Sequence, residues 1–231
     1  MAKQLKEMEA MRQEFISNVS HEIQSPLTSI GGFAKALQYD ELTNEERSHY
    51  LSIIETETYR LSKLSDNLLK LTSLESEHHP FERKSYRLDQ QIRNIILASE
   101  PNWMEKELEI DVSLEKVQIL ADEDLMSQVW INLIHNSIKF TPSFGKIRIH
   151  LKNIDGKAII KISDTGIGIS KKDQVHIFER FFKADKARER SRGGSGLGLS
   201  IVKKITEMHN GTILVESEIE KGTTFTIVIQ I

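Results

Sequence analysis

The sequence predicts an α+β chain, with a long antiparallel helical hairpin followed by a two-layer α/β sandwich. Three observations carry that prediction. Up to residue 79 the apolar residues recur at helical spacing, and after His78-His79-Pro80 short alternating segments take turns with helical ones. Glycine is also spread unevenly: of 12 glycines, only Gly31 and Gly32 fall in the first 144 residues, whereas six lie between Gly166 and Gly198. Such crowding serves close backbone approach or positive φ, although a surface loop would collect glycine too.

The first helix is read from Leu5, Met8, Phe15, Val19 and Ile23, spaced by three, four and seven. Pro26 inside this run is expected to kink it, because its ring crowds the carbonyl of Glu22 and it donates no hydrogen bond. Gly31 and Gly32 soften the same stretch. A break at residues 39–42 precedes Thr43, which forms a capping box with Glu46. Tyr50, Ile54, Leu61, Leu64, Leu68 and Leu71 then keep a stripe interrupted at Glu57, on a helix about 50 Å long at 1.5 Å per residue. A two-helix hairpin with so wide an apolar face lacks a covering layer, so pairing with a second copy into a dimeric four-helix bundle is expected. The polar faces mix acid with base and show no basic stripe of the kind that binds a membrane surface.

Beyond the boundary, residues 108–114 and 117–120 read as strands and 124–140 as a helix closed by Thr141-Pro142. Residues 146–154 and 157–163 alternate around Asp155-Gly156, a hairpin signal. A helix over 199–208 stops at Asn210-Gly211, and strands at 213–218 and 223–231 close the chain. Strands on one side and helices on the other give the sandwich.

Composition narrows the function. With 31 Lys+Arg against 34 Asp+Glu, the net charge of −3 excludes a generally basic nucleic-acid binder, so any anion site must be local. The absence of cysteine excludes disulfides, thiolate metal sites and a cysteine nucleophile. The longest apolar run, residues 95–98, is far too short for a membrane span or a secretion signal, and a cytoplasmic location is expected.

Four segments could carry chemistry. The strand ending Ser163-Asp164-Thr165-Gly166-Ile167-Gly168-Ile169 offers a carboxylate to an exocyclic amine and glycines for the close approach of a flat base; many strands end in Asp-Thr-Gly without a ligand. Gly193-Gly194-Ser195-Gly196-Leu197-Gly198-Leu199 runs into a helix, a junction suited to phosphate. Its prelude, residues 183–192, carries five basic residues against two acidic ones. Neither G-x-x-x-x-G-K-[ST] nor G-x-G-x-x-G is satisfied. Asn132, Asn136 and Lys139 form a polar stripe at i, i+4 and i+7, where an Asn carbonyl could ligate Mg²⁺ or simply face solvent. His135 points off that stripe. His21-Glu22 lies just before Pro26 with Ser25 one turn on, and Ser25 breaks the zinc pattern H-E-x-x-H.

Taken together and in this order, these segments resemble the sensor histidine kinases. Residues 15–28 (FISNVSHEIQSPLT) resemble the H box, 132–141 the N box, 164–168 the first G box, 177–182 the F box and 194–199 the second G box. The resemblance implies a dimerisation and phosphoacceptor hairpin over 1–77 with an N-terminal coiled-coil stub, a hinge at 78–82, and an ATP-binding domain of the Bergerat fold over 83–231. It implies that His21 accepts the phosphoryl group with Glu22 as its acid/base partner, that Asn136 holds Mg²⁺, that Asp164 reads adenine, and that Lys139 and Lys183 face the phosphates. Asn132, Phe140, Gly166, Gly168, Ile169, Phe182, Gly194, Ser195, Gly196, Leu197, Gly198 and Leu199 complete the implied ATP site, and residues 183–195 form its lid. The implied partners are a second copy of the chain and the receiver domain of a response regulator, whose Asp takes the phosphoryl group. Membrane attachment is implied only through a sensor region outside this chain, making these residues the cytoplasmic core of a longer receptor.

Three positions depart from the family pattern. Ser25 stands where Thr or Asn usually serves dephosphorylation of the regulator; it keeps a hydroxyl but lacks the methyl that fixes the rotamer. Ser137 replaces a small apolar residue, and Asn210 replaces a glycine. Two other functions compete with kinase activity: a nucleotide-responsive scaffold that binds ATP without being labelled, and a gyrase-like or chaperone ATPase that has no use for the histidine hairpin.

Overall fold

The computed structural model describes residues 2–39, 41–76, 80–184 and 194–231, without the side chains of 2–5, 7, 8 and 11. The side chains of Leu5 and Met8, the expected hinge residues His78 and His79, and positions 185–193 of the expected lid therefore lie outside the described residues. The chain divides into two compact units, residues 1–70 with 193–195 and residues 71–192 with 196–231.

The first unit is built from α1 (Ala2–Ala36) and most of α2 (Asn44–Glu75). α1 runs through Pro26 as a single helix. The capping box forms as expected: Thr43 N–H donates to Glu46 Oε2 at 2.9 Å and Glu46 N–H donates to Thr43 Oγ1 at 3.2 Å. Phe33 and Tyr50 stack across the hairpin with ring centroids 5.2 Å apart. Within this unit the stripe Tyr50, Ile54, Leu61, Leu64 and Leu68 is the less exposed side of α2, yet only Leu64 of the five is fully buried. Ile16, Leu27, Leu51 and Leu69 each remain more than half exposed. One hairpin cannot bury its own apolar surface. Among the described residues no helix is long and apolar enough to cross a membrane.

The second unit adds β1 (Lys84–Arg87), α3 (Leu88–Ala98), α4 (Glu100–Glu105), β2 (Glu109–Leu114), β3 (Gln118–Ala121), α5 (Glu123–Phe140), β4 (Lys146–Ile154), β5 (Lys157–Asp164), α6 (Lys171–Gln174), α7 (Gly198–Met208), β6 (Thr212–Glu218) and β7 (Gly222–Gln230). A five-stranded sheet in the order β2-β4-β5-β7-β6 pairs β2 with β4 in parallel and is otherwise antiparallel, while β1 and β3 form a separate ribbon. Alternate residues of the central strands are buried, Ile147, Ile149 and Leu151 on β4, Ala158, Ile160 and Ile162 on β5, Phe225, Ile227 and Ile229 on β7. Met126, Val129, Trp130, Leu133 and Ile134 of α5 and Ile201, Val202 and Ile205 of α7 complete that core. The hairpin turn places Asp155 and Gly156 at φ 52° and 74°, and Asn210 sits at φ 53°, the left-handed conformation Asn tolerates. β1, α3 and α4 have no counterpart in the sequence reading.

Segment 81–83 is fastened to the far ends of α5 and α7. Asp122 caps α5 by accepting from Leu125 N–H at 3.0 Å with Oδ1, and its Oδ2 accepts from Glu82 N–H at 3.1 Å. His209 is buried; its Nε2 accepts from Asp122 N–H at 3.0 Å, so Nδ1 carries the proton that meets the Ile205 carbonyl at 2.8 Å. The Phe81 ring meets the His209 ring edge-on at 4.9 Å, and the Arg83 guanidinium lies 5.0 Å from the Phe81 ring. Burial pushes the His209 imidazole below the ordinary histidine value, and the Arg83 charge acts in the same direction, while the Ile205 carbonyl and Asp122 oppose it. Between the two values the unfolded chain binds more protons than the folded one, so stability rises with pH there. Chemical denaturation as a function of pH should therefore show the unit losing stability as pH falls below about 6.5, and His209→Gln should flatten that slope from a lower starting stability.

Candidate functional site

In the helical unit His21 is exposed in the middle of α1, and with Gln24, Ser25 and Thr28 it lines a shallow surface depression. Glu22, its neighbour, turns toward α2, where Arg60 Nη2 stands 3.5 Å from Glu22 Oε2. The same guanidinium lies 3.7 Å from Glu57, whose Oε2 is buried without a hydrogen bond in the position that interrupts the apolar stripe. Arg60 and the pairing of Glu22 had no signal in the sequence, because the partner comes from the opposite helix.

In the second unit Asp164 ends β5 with its carboxylate held from three sides. Oδ1 accepts from Gly166 N–H at 2.9 Å and from Thr223 N–H at 3.2 Å, and Oδ2 accepts from Ser137 Oγ at 3.3 Å. Burial raises the Asp164 pKa above the usual aspartate value against the pull of all three hydrogen bonds. The glycines around it allow contacts that no side chain would. A Cβ at Gly166 would lie 2.6 Å from Asp164 Oδ1 and 2.7 Å from the Phe140 carbonyl oxygen, and one at Gly222, φ 100°, would lie 1.8 Å from the Asp164 carbonyl oxygen. Past the turn, Ile169 N–H donates to Ser217 Oγ at 2.8 Å, while Gln174 Nε2 donates at 2.8 Å to both the Ile169 and Ser217 carbonyls.

Asn132 on α5 carries a buried Nδ2 with no hydrogen-bond partner, and its Oδ1 lies 3.4 Å from where a Cβ of Gly198 would sit at the start of α7. An orphaned donor beside a glycine-opened helix N-terminus fits the phosphates of a nucleotide. Asn136, one turn on, is half-buried. Among the described residues no cluster of three His, Asp or Glu side chains could hold a metal; one amide oxygen suits Mg²⁺, which takes the rest of its shell from water and phosphate. Lys139 Nζ lies 4.5 Å from the Phe140 ring centroid. Phe181 adopts φ 61°, and its N–H donates to the Gly196 carbonyl at 3.0 Å; a Cβ on Gly196 would come within 2.6 Å of the Phe181 backbone. Phe182 packs its ring 5.6 Å from that of His176. Lys183 is half-buried, Leu197 fully buried and Leu199 half-buried. Gly194 and Ser195 group with the helical unit, where Asn67 Nδ2 donates to Ser195 Oγ at 3.3 Å.

The structure thus gathers Ser137, Phe140, Asp164 and Gly166 about one carboxylate, and Asn132 and Gly198 about one orphaned donor. Thr223, Gly222, Ser217 and Gln174 escaped the sequence reading; the Gly222-Thr223 pair that opens the last strand was the available signal.

Known proteins agree with this arrangement. Residues 11–77 match the His Kinase A (phospho-acceptor) domain, and residues 121–231 match the histidine kinase-, DNA gyrase B- and HSP90-like ATPase family. The chain is 34% identical over 224 residues to the sensor protein kinase WalK of Staphylococcus aureus, covering 96% of this chain and 54% of that protein. It is 38% identical over 223 residues to the heme sensor protein HssS of Staphylococcus saprophyticus, covering 96% and 47%. The chain thus spans about half the length of these relatives. Among solved structures, the catalytic domain of histidine kinase ThkA is 30% identical with a TM-score of 0.58, covering 64% of this chain and 95% of that one. ThkA in complex with the response regulator protein TrrA gives a TM-score of 0.79 at 27% identity over 97% of this chain and 63% of that one. Full-length ShkA in complex with AMPPNP gives 0.69 at 28% identity, covering 94% and 45%. From its phosphoacceptor hairpin to its ATPase-type sandwich, the chain belongs to the sensor histidine kinases.

Proposed function

We propose that this chain transfers the γ-phosphoryl group of ATP to His21 and passes it to an aspartate on the receiver domain of a response regulator. The observation that carries the reading is the half-buried Asp164 carboxylate at the glycine turn, an acceptor-only group whose Oδ1 takes two backbone donors while Oδ2 takes a single weak one. Oδ2 is suited to the exocyclic amine of adenine, with Gly166 and Gly168 admitting the base beside Phe140 and Ile169. Asn132, Lys139, Lys183 and the backbone from Gly194 through Ser195, Gly196, Leu197, Gly198 and Leu199 receive the phosphates. Phe182 closes against the nucleotide, and residues 183–195 serve as lid. The AMPPNP complex of ShkA supports a nucleotide at this kind of site.

Asn136 would hold Mg²⁺, which neutralises phosphate charge when bound. The remaining work falls to the chain's own groups, chiefly positioning and charge neutralisation as in other phosphoryl transfers. An imidazole nitrogen of His21 attacks the γ-phosphorus in line as the bond to the β–γ bridging oxygen breaks and ADP leaves, and Glu22 orients the ring or takes its proton. Adjacent helical residues do not face one another, so Glu22 must leave the Arg60 side of the hairpin to do this. Ser25 orients the water for dephosphorylation of the regulator. Residues 1–77 form the phosphoacceptor domain and pair with a second copy, which the exposed Ile16, Leu27, Leu51 and Leu69 support; 78–82 act as the hinge and 83–231 as the catalytic domain. A receiver domain as partner is supported by the ThkA–TrrA complex. The sensory part and any membrane attachment belong to sequence outside these residues, as the greater length of WalK and HssS supports.

Incubation with γ-labelled ATP should give acid-labile, alkali-stable label on the chain and none on His21→Gln; label persisting in His21→Gln would overturn the assignment. Asp164→Asn separates function from stability. Because the folded pKa of Asp164 is raised, ionising it costs stability as pH rises through the window above 3.8. At pH 7 the Asn variant should therefore melt no lower than wild type while its ATP affinity, by titration calorimetry, falls about ten-fold or more, since a donor would face the adenine amine.

A further inference from the structure

Lys106, the residue that closes α4, reaches across to the end of α5. Its Nζ donates to the carbonyls of Ile138 at 2.7 Å, Lys139 at 2.9 Å and Thr141 at 2.9 Å. These belong to the last turn of α5, where carbonyls have no partner within the helix and the helix dipole is negative. An ammonium has three protons, and here each meets a carbonyl. The natural cation for that turn is Lys139, the only basic residue in it, but its Nζ stands by the Phe140 ring. Capping falls instead to a cation from another element.

One carbonyl in the set is skipped. The Phe140 oxygen is taken by the glycine turn: Ile167 N–H donates to it at 3.3 Å, and a Cβ on Gly166 would come within 2.7 Å of it. Thr141 Oγ1 in turn donates to the Ser137 carbonyl at 2.6 Å, and Ser137 Oγ donates to Asp164 Oδ2. Lys106 also holds the following loop, because its own carbonyl accepts from Phe144 N–H at 3.0 Å. The ammonium thus fixes the peptide carbonyls on both sides of Phe140, and with them the distance between the α5 terminus and the Asp164 turn.

We propose that Lys106 is a positioning residue for base selection: by locking the last turn of α5 it sets the Phe140–Gly166–Asp164 edge that distinguishes adenine from guanine. Its part is to hold that edge in place rather than to bind the nucleotide. The proposal rests on the ATP reading above and adds a residue from outside every motif of the sequence. Losing the ammonium would let the α5 carbonyls turn to water and the turn drift, blurring the base edge while leaving Asn132 and the α7 N-terminus in place for phosphate.

The test measures binding of ATP, GTP and inorganic triphosphate to the full chain in wild type, Lys106→Met, Lys106→Gln and Lys106→Arg, each at a temperature where it is folded. In Lys106→Met and Lys106→Gln, ATP affinity should fall about ten-fold, the size of a lost charge-assisted hydrogen bond. The ATP/GTP preference should fall with it, triphosphate binding should stay within about two-fold, and Lys106→Arg should recover most of the preference. An unchanged ATP/GTP preference in the folded Met or Gln variant overturns the inference, as does a parallel loss of triphosphate binding, which would mark general damage. A wild-type chain with no ATP preference would overturn the ATP reading itself and this inference with it.

Discussion

The half-buried carboxylate of Asp164 is the constraint around which the second unit of this chain is arranged. A carboxylate taken out of water must be hydrogen-bonded or neutralised, and this one is reached by donors from three elements: Gly166 in its own turn, Thr223 at the start of β7 and Ser137 on α5. Each donor fixes one wall. Thr223 holds the end of β7 against that of β5, which the register already pairs; Gly166 bends the turn back on itself; Ser137 ties in the helix that carries Asn132 and Asn136. The glycines at 166 and 222 follow from this, since a Cβ at either would collide with Asp164. The fold accepts an ionisable group whose partial burial works against it, a cost that a base with a donor edge would offset.

The two units divide the chemistry. The hairpin is stiff, glycine-poor and unable to bury its own stripe, and it presents His21 on an exposed face. The sandwich buries its core and takes the left-handed conformation both in turns, at Asp155, Asn210 and Glu220, and in the motif segments, at Gly168, Phe181 and Gly196.

Much of this was legible in the sequence, and the parts that were not share a physical cause. Thr43 with Glu46, Asp155-Gly156 and Asn210 each encode a local geometry through their own backbone and side chain, and each takes the predicted form. The third helix was readable in principle, because Leu88, Ile92 and Ile96 recur at four and all three are buried. β1 was not: its four residues carry no period of their own and pair with β3, which lies further along the chain. The motif positions about Asp164 were visible because they lie close together in sequence. Ser217, Gln174, Lys106 and Arg60 were invisible because partners of each lie across the fold. Ser137, which the sequence marks only as a departure from the family, becomes a donor to Asp164 once α5 is docked.

If Asp164 is the group on which recognition turns, the exocyclic amine of adenine must matter in its own right. Competition binding of ATP against purine riboside triphosphate, which lacks only that amine, measures this on the unaltered chain. The expected result is a loss of about ten-fold or more for the analogue, the cost of leaving a charged acceptor unmatched in the site. Equal affinities for the two nucleotides would contradict the role assigned to Asp164.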